Sequence, residues 1–514
     1  MAFNTMKPAK ALCIRFLLIA GAFLLLMPRP QAQYSYDANC RQAYESILSL
    51  RFAEARNILA KEKKAVPENL IPLYLENYID FLTMVIGEEQ KVYELLKDRR
   101  GEKLKQLGKG PADSPYHNFC LGEMHLQWAM AKMKFGDYTA AAVEFHKAHD
   151  LFADNEKKYP GFVLNKLWMG VIHVMVSLVP DNYRWVSNLA GLEGSLERGM
   201  NEIRQVAEYA GTDEITRIYR PQATFFLAFL TLNVQKDKKK ALSFLEELWD
   251  PSYGGTPLKS PLLVYARASI LMRNGFNDDA LNVLQERYSM PQTFHFYFLD
   301  YLEGMARLNR LDTTAGACFE RFIGGFRGKY YIRTANQKLA WIAVLRGDSV
   351  NYRRLIGRAA EGPGGVDEDK QAAFEAADGV VPNVVLLRAR LLFDGGYYSK
   401  AMDELLNNPV SMTVKSKHDL LEYTYRLGRI CHEQGNLAKA IDNYRQTITR
   451  GKNEPWYFAA GAAYQLGLLY ENKGEPAKAD SAFRVCLSTN PREYKTSLHQ
   501  KAKAGLKRLE KENH

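Results

Sequence analysis

The chain has 514 residues, 47% hydrophobic and 25% charged, with 69 Lys and Arg against 58 Asp and Glu and a formal net charge of +11. This balance excludes a disordered or fibrous polymer and leaves either two or three globular domains or one extended array, each long enough to bury a core. The basic excess sits partly at the N-terminus and is otherwise spread along the chain, so it marks no nucleic-acid patch, and no nucleic-acid partner is expected.

At the N-terminus, Lys7, Lys10 and Arg15 precede the apolar run FLLIAGAFLLLM (16–27), and PRPQA then supplies a small residue, Ala32, before the polar Gln33. The pattern predicts an export signal over 1–32, cleaved near Ala32. The run is 12 residues long, short of the roughly 20 needed to span a bilayer, which favours cleavage over retention as an anchor. Cys13 lies before the run and so is not a lipid-bearing cysteine. Cleavage removes four basic residues and no acid, lowering +11 to +7. A soluble mature chain without a membrane span, periplasmic or associated with the outer envelope, is the expectation. The five later cysteines, Cys40, Cys120, Cys318, Cys431 and Cys486, are widely spaced with no CxxC pair, which predicts buried free thiols rather than a disulfide framework or a zinc site.

Along the mature chain the first helical segment is RFAEARNILAKEKKAVP (51–67), with Phe52, Ala55 and Leu59 on one face. GKGPADSP (108–115) reads as a loop. A glycine, an alanine five residues later and a bulky residue one turn beyond it then recur: Gly136, Ala141, Phe145; Gly275, Ala280, Leu284; Gly396, Ala401, Leu405. Between these copies, MGVIHVMVSLVP (169–180) predicts a buried helix, and TFFLAFLTLNVQKDKKKALSFLEELW (224–249) and YLEGMARLNRLDTTAGACFERFI (301–323) predict helical pairs. DPSYGGTPLKSP (250–261) and EGPGGVDEDK (361–370) read as loops, and no period-2 strand of useful length occurs.

The pattern is clearest near the end. YRLGRICHEQGNLAKAIDNYRQTI carries Leu427, Gly428, Gly435, Ala440 and Tyr444. AYQLGLLYENKGEPAKADSAFRVCLSTNP (463–491) repeats them as Leu466, Gly467, Gly474, Ala479 and Phe483, with Tyr470 and Pro491. Gly467 lets a second helix approach, Gly474 suits the left-handed end of the first, Pro476 opens the second, and Ala479 and Phe483 face back across the pair. These residues resemble the tetratricopeptide signature, with Ala463 in place of its tryptophan. The resemblance implies an all-α superhelix, a solenoid of helical hairpins with an irregular N-terminal half: divergent repeats over 33–250, further repeats over 251–410, and two regular repeats with a C-terminal capping helix over 411–514. GVIHVMVSLVP, NLAGLEGSLERGMNEI and SPLLVYARASILMRNGFNDDALNVL further resemble the layout of eukaryotic tetratricopeptide proteins linked to inclusion-body clearance.

Catalytic motifs are missing. GGFRGKY (324–330) has a misplaced first glycine and a tyrosine, Tyr330, where a phosphate loop needs Ser or Thr. His146, His149 and Asp150 share a helix without a third ligand, CHEQG (431–435) lacks the second histidine of a zinc-protease helix, and there is no GxSxG. No catalytic residue, metal or cofactor is expected. In a solenoid of this kind the first helices line the concave side. Residues directed away from the Leu-Gly stripe are then candidates for a partner-binding groove: Tyr425, Arg429, His432 and Glu433; Tyr464, Glu471 and Asn472; and Asn383, Arg390 and Asp394. Tyr and Arg suit capture of a protein or peptide. The lysine and asparagine clamp of some family members is not matched. The function expected is a non-enzymatic interaction scaffold of the bacterial envelope, the alternative being a glycan or other small-ligand binder, or an enzyme, built on the same array.

Overall fold

The computed structural model describes residues 33–179, 194–235, 237–249, 259–362, 364–408 and 414–512; the apolar N-terminal run lies outside them. Among the described residues the chain is all helix, with only an isolated bridge between Gln33 and Asn69. The helices follow as α1 (Ala38–Leu48), α2 (Phe52–Ala65), α3 (Ile71–Gly87), α4 (Gln90–Leu107), α5 (Pro115–Lys134), α6 (Tyr138–Lys158), α7 (Asn165–Ser177) and α8 (Leu196–Ala207). Next come α9 (Glu214–Leu230), continued by a π-helical turn (Thr231–Gln235), α10 (Lys238–Trp249), α11 (Pro261–Arg273), α12 (Asn277–Glu286), α13 (Phe298–Asn309), α14 (Ala315–Gly325), α15 (Ile332–Leu345) and α16 (Ser349–Ala360). The last are α17 (Asp367–Asp378), α18 (Val384–Asp394), α19 (Tyr398–Leu406), α20 (Lys417–Glu433), α21 (Leu437–Gly451), α22 (Phe458–Asn472), α23 (Pro476–Ser488) and α24 (Lys495–Glu512).

All five glycines of the recurring pattern adopt positive φ, Gly136 at 88°, Gly275 at 81°, Gly396 at 81°, Gly435 at 77° and Gly474 at 68°, each ending a first helix. The alanine that follows each is buried against the partner helix. Gly347, at φ 74°, is a sixth copy, between α15 and α16. Tyr352 stands there in place of the alanine, so a search requiring a small residue passes it over. The stretch 361–370 is loop only to Val366: Asp367, Glu368 and Asp369 form the first turn of α17, where negative side chains meet the positive end of the helix dipole. No helix of the described residues is long and apolar enough to cross a membrane. Cys40, Cys120, Cys318, Cys431 and Cys486 are free and buried.

The helix crossings are tight because a glycine faces an aromatic ring. A methyl group on Gly428 would lie 2.7 Å from the Tyr444 ring, and one on Gly467 would lie 2.5 Å from Phe483. Phe483 is also closed in from α24, where a methyl on Gly505 would meet the same ring at 2.6 Å.

The N-terminal half has a different interior. Glu123 on α5 is fully buried and accepts hydrogen bonds from Tyr74 Oη (2.6 Å), Trp168 Nε1 (2.8 Å) and Gln127 Nε2 (3.1 Å). Tyr219 joins Tyr74 (3.0 Å) to Tyr36 (2.7 Å) beside it. Burial, outweighing those donors, pushes the Glu123 carboxyl from 4.5 up to about 8.

The folded chain therefore holds a proton on Glu123 over the range from 4.5 to about 8, where the unfolded chain has released it. That contribution to stability is complete below the unfolded value and is lost as pH rises through the folded one. Thermal melts from about pH 6 to about pH 9 should show Tm falling in the natural chain and a shallower fall in Glu123→Gln, which keeps the shape and removes the titration. Parallel profiles would refute the assignment. Separately, Gly467→Ala should cost about 1–3 kcal/mol in chemical denaturation, because Phe483 has no room to retreat.

Candidate functional site

First helices α18, α20, α22 and α24 pack side by side, and α18 also touches α13 and α15. This arrangement encloses a cavity of about 170 Å³ lined by Tyr301 of α13, Lys338 and Trp341 of α15, Glu368 and Gln371 of α17, Arg390 and Asp394 of α18, and Tyr494, just before α24. The Trp341 indole has two cations close to it. Lys338 Nζ lies 3.4 Å from the ring centroid and the Arg390 guanidinium carbon 4.7 Å from it. Trp341 Nε1 donates to Glu375 Oε1 (2.7 Å) and Lys338 Nζ to Gln337 Oε1 (2.9 Å), which fixes both side chains. Burial, reinforced by the adjacent Arg390 charge, holds the Lys338 ammonium down at about 7.

The cationic row continues along the array. Arg426 on α20 pairs with Glu422 (2.9 Å) and donates to Tyr457 Oη (3.1 Å), while the Tyr457 ring meets Tyr494 edge-on with centroids 5.2 Å apart. Arg429 lies over Phe393 of α18, 4.7 Å from its centroid. Aromatic faces opposite cations preorganise the row, since the ring quadrupole partly offsets lost hydration.

Of the residues expected in a groove, Arg390 and Asp394 line the cavity. Tyr425 does not project into it: only 4% exposed, its ring packs between α20 and α22 against Tyr457 and Phe458. Arg429 is half-buried and donates to Tyr425 Oη (3.2 Å). His432 faces its own second helix, Nδ1 lying 3.2 Å from Tyr444 Oη, and the half-buried Tyr464 likewise packs towards Phe483 with centroids 6.1 Å apart. Asn383 caps α18, accepting from the backbone N–H of Val385 and Leu386. Asn472 is exposed as the last residue of α22.

The reason is helical phase. The residue six positions before each left-handed turn residue, namely Met305 before Leu311, Trp341 before Gly347, Arg390 before Gly396 and Arg429 before Gly435, faces the interior of the curve, as do Lys338 and Arg426 nine positions before. Tyr425, ten before Gly435, lies one step round the helix, towards the neighbouring first helix. Counting back from the turn glycine would have found Lys338, Trp341 and Arg426. Tyr457 and Tyr494 lie in inter-repeat connections and carry no such signal.

Elsewhere Asp37, Cys40 and Glu62 bring one ligand atom each within 4.8 Å of one another. Their atoms are otherwise engaged: Asp37 caps α1, Asn39 donates to Glu62 (2.8 Å), and Asn69 donates to Cys40 Sγ (3.6 Å). Burial and the Asp37 carboxylate hold the Cys40 thiol up and protonated. The group is therefore a hydrogen-bonded helix cap.

Among known proteins, residues 421–450 and 460–493 match the tetratricopeptide repeat model. The photosystem I assembly protein Ycf3 of Acaryochloris marina (strain MBIC 11017) is 31% identical over 91 residues, 18% of this chain and 52% of that protein; the chain thus spans about half the length of the curated relative it matches. Among solved structures, the human IFIT1 dimer with PPP-AAAA aligns over 93% of this chain and 95% of that one at 13% identity and a TM-score of 0.32. The Cut9–Hcn1 hetero-tetramer of APC/C aligns over 92% and 100% at 12% identity and a TM-score of 0.27. The matched segments are the two hairpins α20–α21 and α22–α23, whose glycine, alanine and aromatic contacts are those described above, so these two hairpins are similar to tetratricopeptide repeats in sequence as well as in packing.

Proposed function

We propose that this chain is a non-enzymatic scaffold that holds a protein partner against the concave side of its helical array, and that it works in the bacterial envelope after removal of residues 1–32. The observation that carries the reading is the row of Lys338, Arg390, Arg426 and Arg429, interleaved with Trp341, Tyr457 and Tyr494, on the inner side of successive first helices. Within the row Trp341, Lys338 and Arg426 are buried and support the half-buried Arg390, Arg429, Tyr457 and Tyr494, which are the side chains placed to meet a partner; aromatic and Arg side chains in such positions supply most of the energy in protein recognition. The repeat match at 421–493 supports the same reading, as does similarity to a relative named as an assembly protein. The envelope setting rests on the basic, then apolar, then small-residue order of 7–32.

The full chain, immobilised and exposed to envelope extract, should retain a protein partner. The Arg390→Ala, Arg429→Ala double variant should keep its helical circular dichroism and lose about thirtyfold in affinity, the effect of one anchor worth about 2 kcal/mol. Undiminished capture by the double variant would overturn the placement of the partner on this row, and binding only to an oligosaccharide array would overturn the scaffold. N-terminal sequencing of the mature protein tests export, and a start at Met1 in a cytosolic fraction contradicts it. Tyr425→Ala separates packing from binding: the ring is core, so the variant should lose about 3 kcal/mol or more of stability.

A further inference from the structure

The last helix concentrates charge that the rest of the chain disperses. Residues 33–514 carry a net +7, and α24 alone holds six Lys and Arg against Glu510 and Glu512, a net +4 over Lys495–Glu512. The basic excess that reads as spread along the chain is thus held to more than half on one helix.

Helical phase sorts those charges. Leu498, Ala502, Gly505 and Leu509 are buried, and Gly505 abuts the Phe483 ring, so this face of α24 closes the end of the array against α22 and α23. The opposite face is open to solvent. Lys503 and Lys507, one turn apart, lie at one edge of it, Lys501 and Arg508 at the other, with Gln500 and Ala504 between; all six are exposed and none is acidic. Pairing separates the arginines from the lysines. Arg508 donates twice to Glu471 (2.7 and 2.8 Å), and Arg484 on α23 donates to Asp480 (2.7 Å). Among the described residues the ammonium groups of Lys495, Lys501, Lys503 and Lys507 make no ion pair and no hydrogen bond.

The residue types decide what such a face can meet. Protein interfaces are depleted of Lys and enriched in Arg and aromatic residues, whereas this face has no aromatic ring and its one arginine is tied to Glu471. Nucleic acids are held by aromatic stacking and by guanidinium forks into the grooves, which the face also lacks. A flat field of negative charge is what it matches. Ammonium groups on flexible stems act as point charges that need no fixed partner geometry, and an anionic membrane surface attracts each of them. Because the apolar side of α24 packs on α22 and α23, the attraction is electrostatic alone, without insertion of the helix.

We propose that the outer face of α24 is a membrane-docking surface that holds the C-terminal end of the array on anionic phospholipid through Lys501, Lys503 and Lys507. The envelope reading supplies only the identity of the membrane; the surface itself rests neither on it nor on the scaffold reading.

Flotation with vesicles tests this, using the chain from Gln33 onward so that the apolar run 16–27 makes no lipid contact of its own. The chain should float with vesicles of three parts phosphatidylcholine to one part phosphatidylglycerol and stay behind with phosphatidylcholine alone. Raising salt from about 0.1 M to about 1 M shortens the screening length from about 10 Å to about 3 Å and should release it. The triple variant Lys501→Gln, Lys503→Gln, Lys507→Gln, with its circular dichroism unchanged, should bind the anionic vesicles about a hundredfold more weakly, about fivefold for each ammonium removed. Lys238, Lys239 and Lys240, exposed at the start of α10, give a control of equal net charge. With those three changed to Gln, the chain should bind as the natural one does. No flotation on the anionic vesicles, an equal loss in both triple variants, or flotation on the neutral vesicles overturns the surface. Tighter binding to a labelled DNA duplex than to the vesicles, at equal phosphate concentration, overturns the phospholipid source. Flotation by a protein found in the cytosol with its start at Met1 leaves the surface and overturns the envelope reading, and export without flotation does the reverse.

Discussion

Four of the hairpins depend on one contact, a glycine on a first helix pressed against an aromatic ring of the helix that follows. It occurs as Gly428 on Tyr444 and Gly467 on Phe483 in the regular repeats, as Gly304 on Phe319 between α13 and α14, and as Gly122 on Phe152 between α5 and α6. Without a Cβ the ring lies flat on the backbone, so two helices close to a distance that a larger residue would forbid, and that closeness fixes how each hairpin leans on the next. The turn glycine contributes the second half of the constraint by ending the first helix within one residue. Spacing from that turn then decides which side chains look into the curve.

This explains what the sequence made legible. Gly, Ala and bulky residue at fixed spacing is a direct imprint of the crossing, so five hairpins could be read from residues alone, and the copy at Gly347 was lost only because Tyr352 takes the small-residue position. Helix α17 was missed because its acidic first turn follows a Gly and Pro cluster and looks like loop. The network around Glu123 left no trace: a carboxylate on α5, tyrosines on α3 and α9 and an indole on α7 come from distant segments, and no local periodicity joins them.

The site was less legible than the fold. A helix in such an array has three packed directions, towards its own partner, its neighbour and the interior of the curve, and the Leu-Gly stripe identifies only the first. Tyr425 and His432 are directed away from solvent for different reasons, one serving the neighbouring first helix and one its own hairpin. Arg390 was found because it is directed away from the packing stripe, and it shares its register with Trp341, six positions before a turn glycine. The pocket's other groups combine a lysine from one hairpin with a tyrosine from a connection more than a hundred residues later, which is information held by the superhelix and not by any repeat.

The closure of that superhelix also separates this chain from a simple solenoid, in which each unit touches only its neighbours. Tyr397 donates to Asp278 (2.7 Å) and Asn277 to Tyr397 (3.1 Å), tying the α18–α19 turn to the α11–α12 turn. Gly396 sits so close to the backbone of Gly275 that a methyl group on it would lie 2.1 Å from the Gly275 carbonyl oxygen. Further out, Phe294 N–H donates to the Leu50 carbonyl (2.7 Å) and the Phe52 ring packs on Phe294 with centroids 5.2 Å apart, so the first hairpin is fastened to the middle of the chain. Such long-range ties cost loop entropy, which grows slowly with loop length, and in return they hold α13, α15, α17 and α18 at fixed spacing. A cavity with two cations over one indole needs that rigidity, because a flexible wall would let Arg390 and Lys338 part and rehydrate. Closure of the array is therefore what keeps their charges aimed at a shared space.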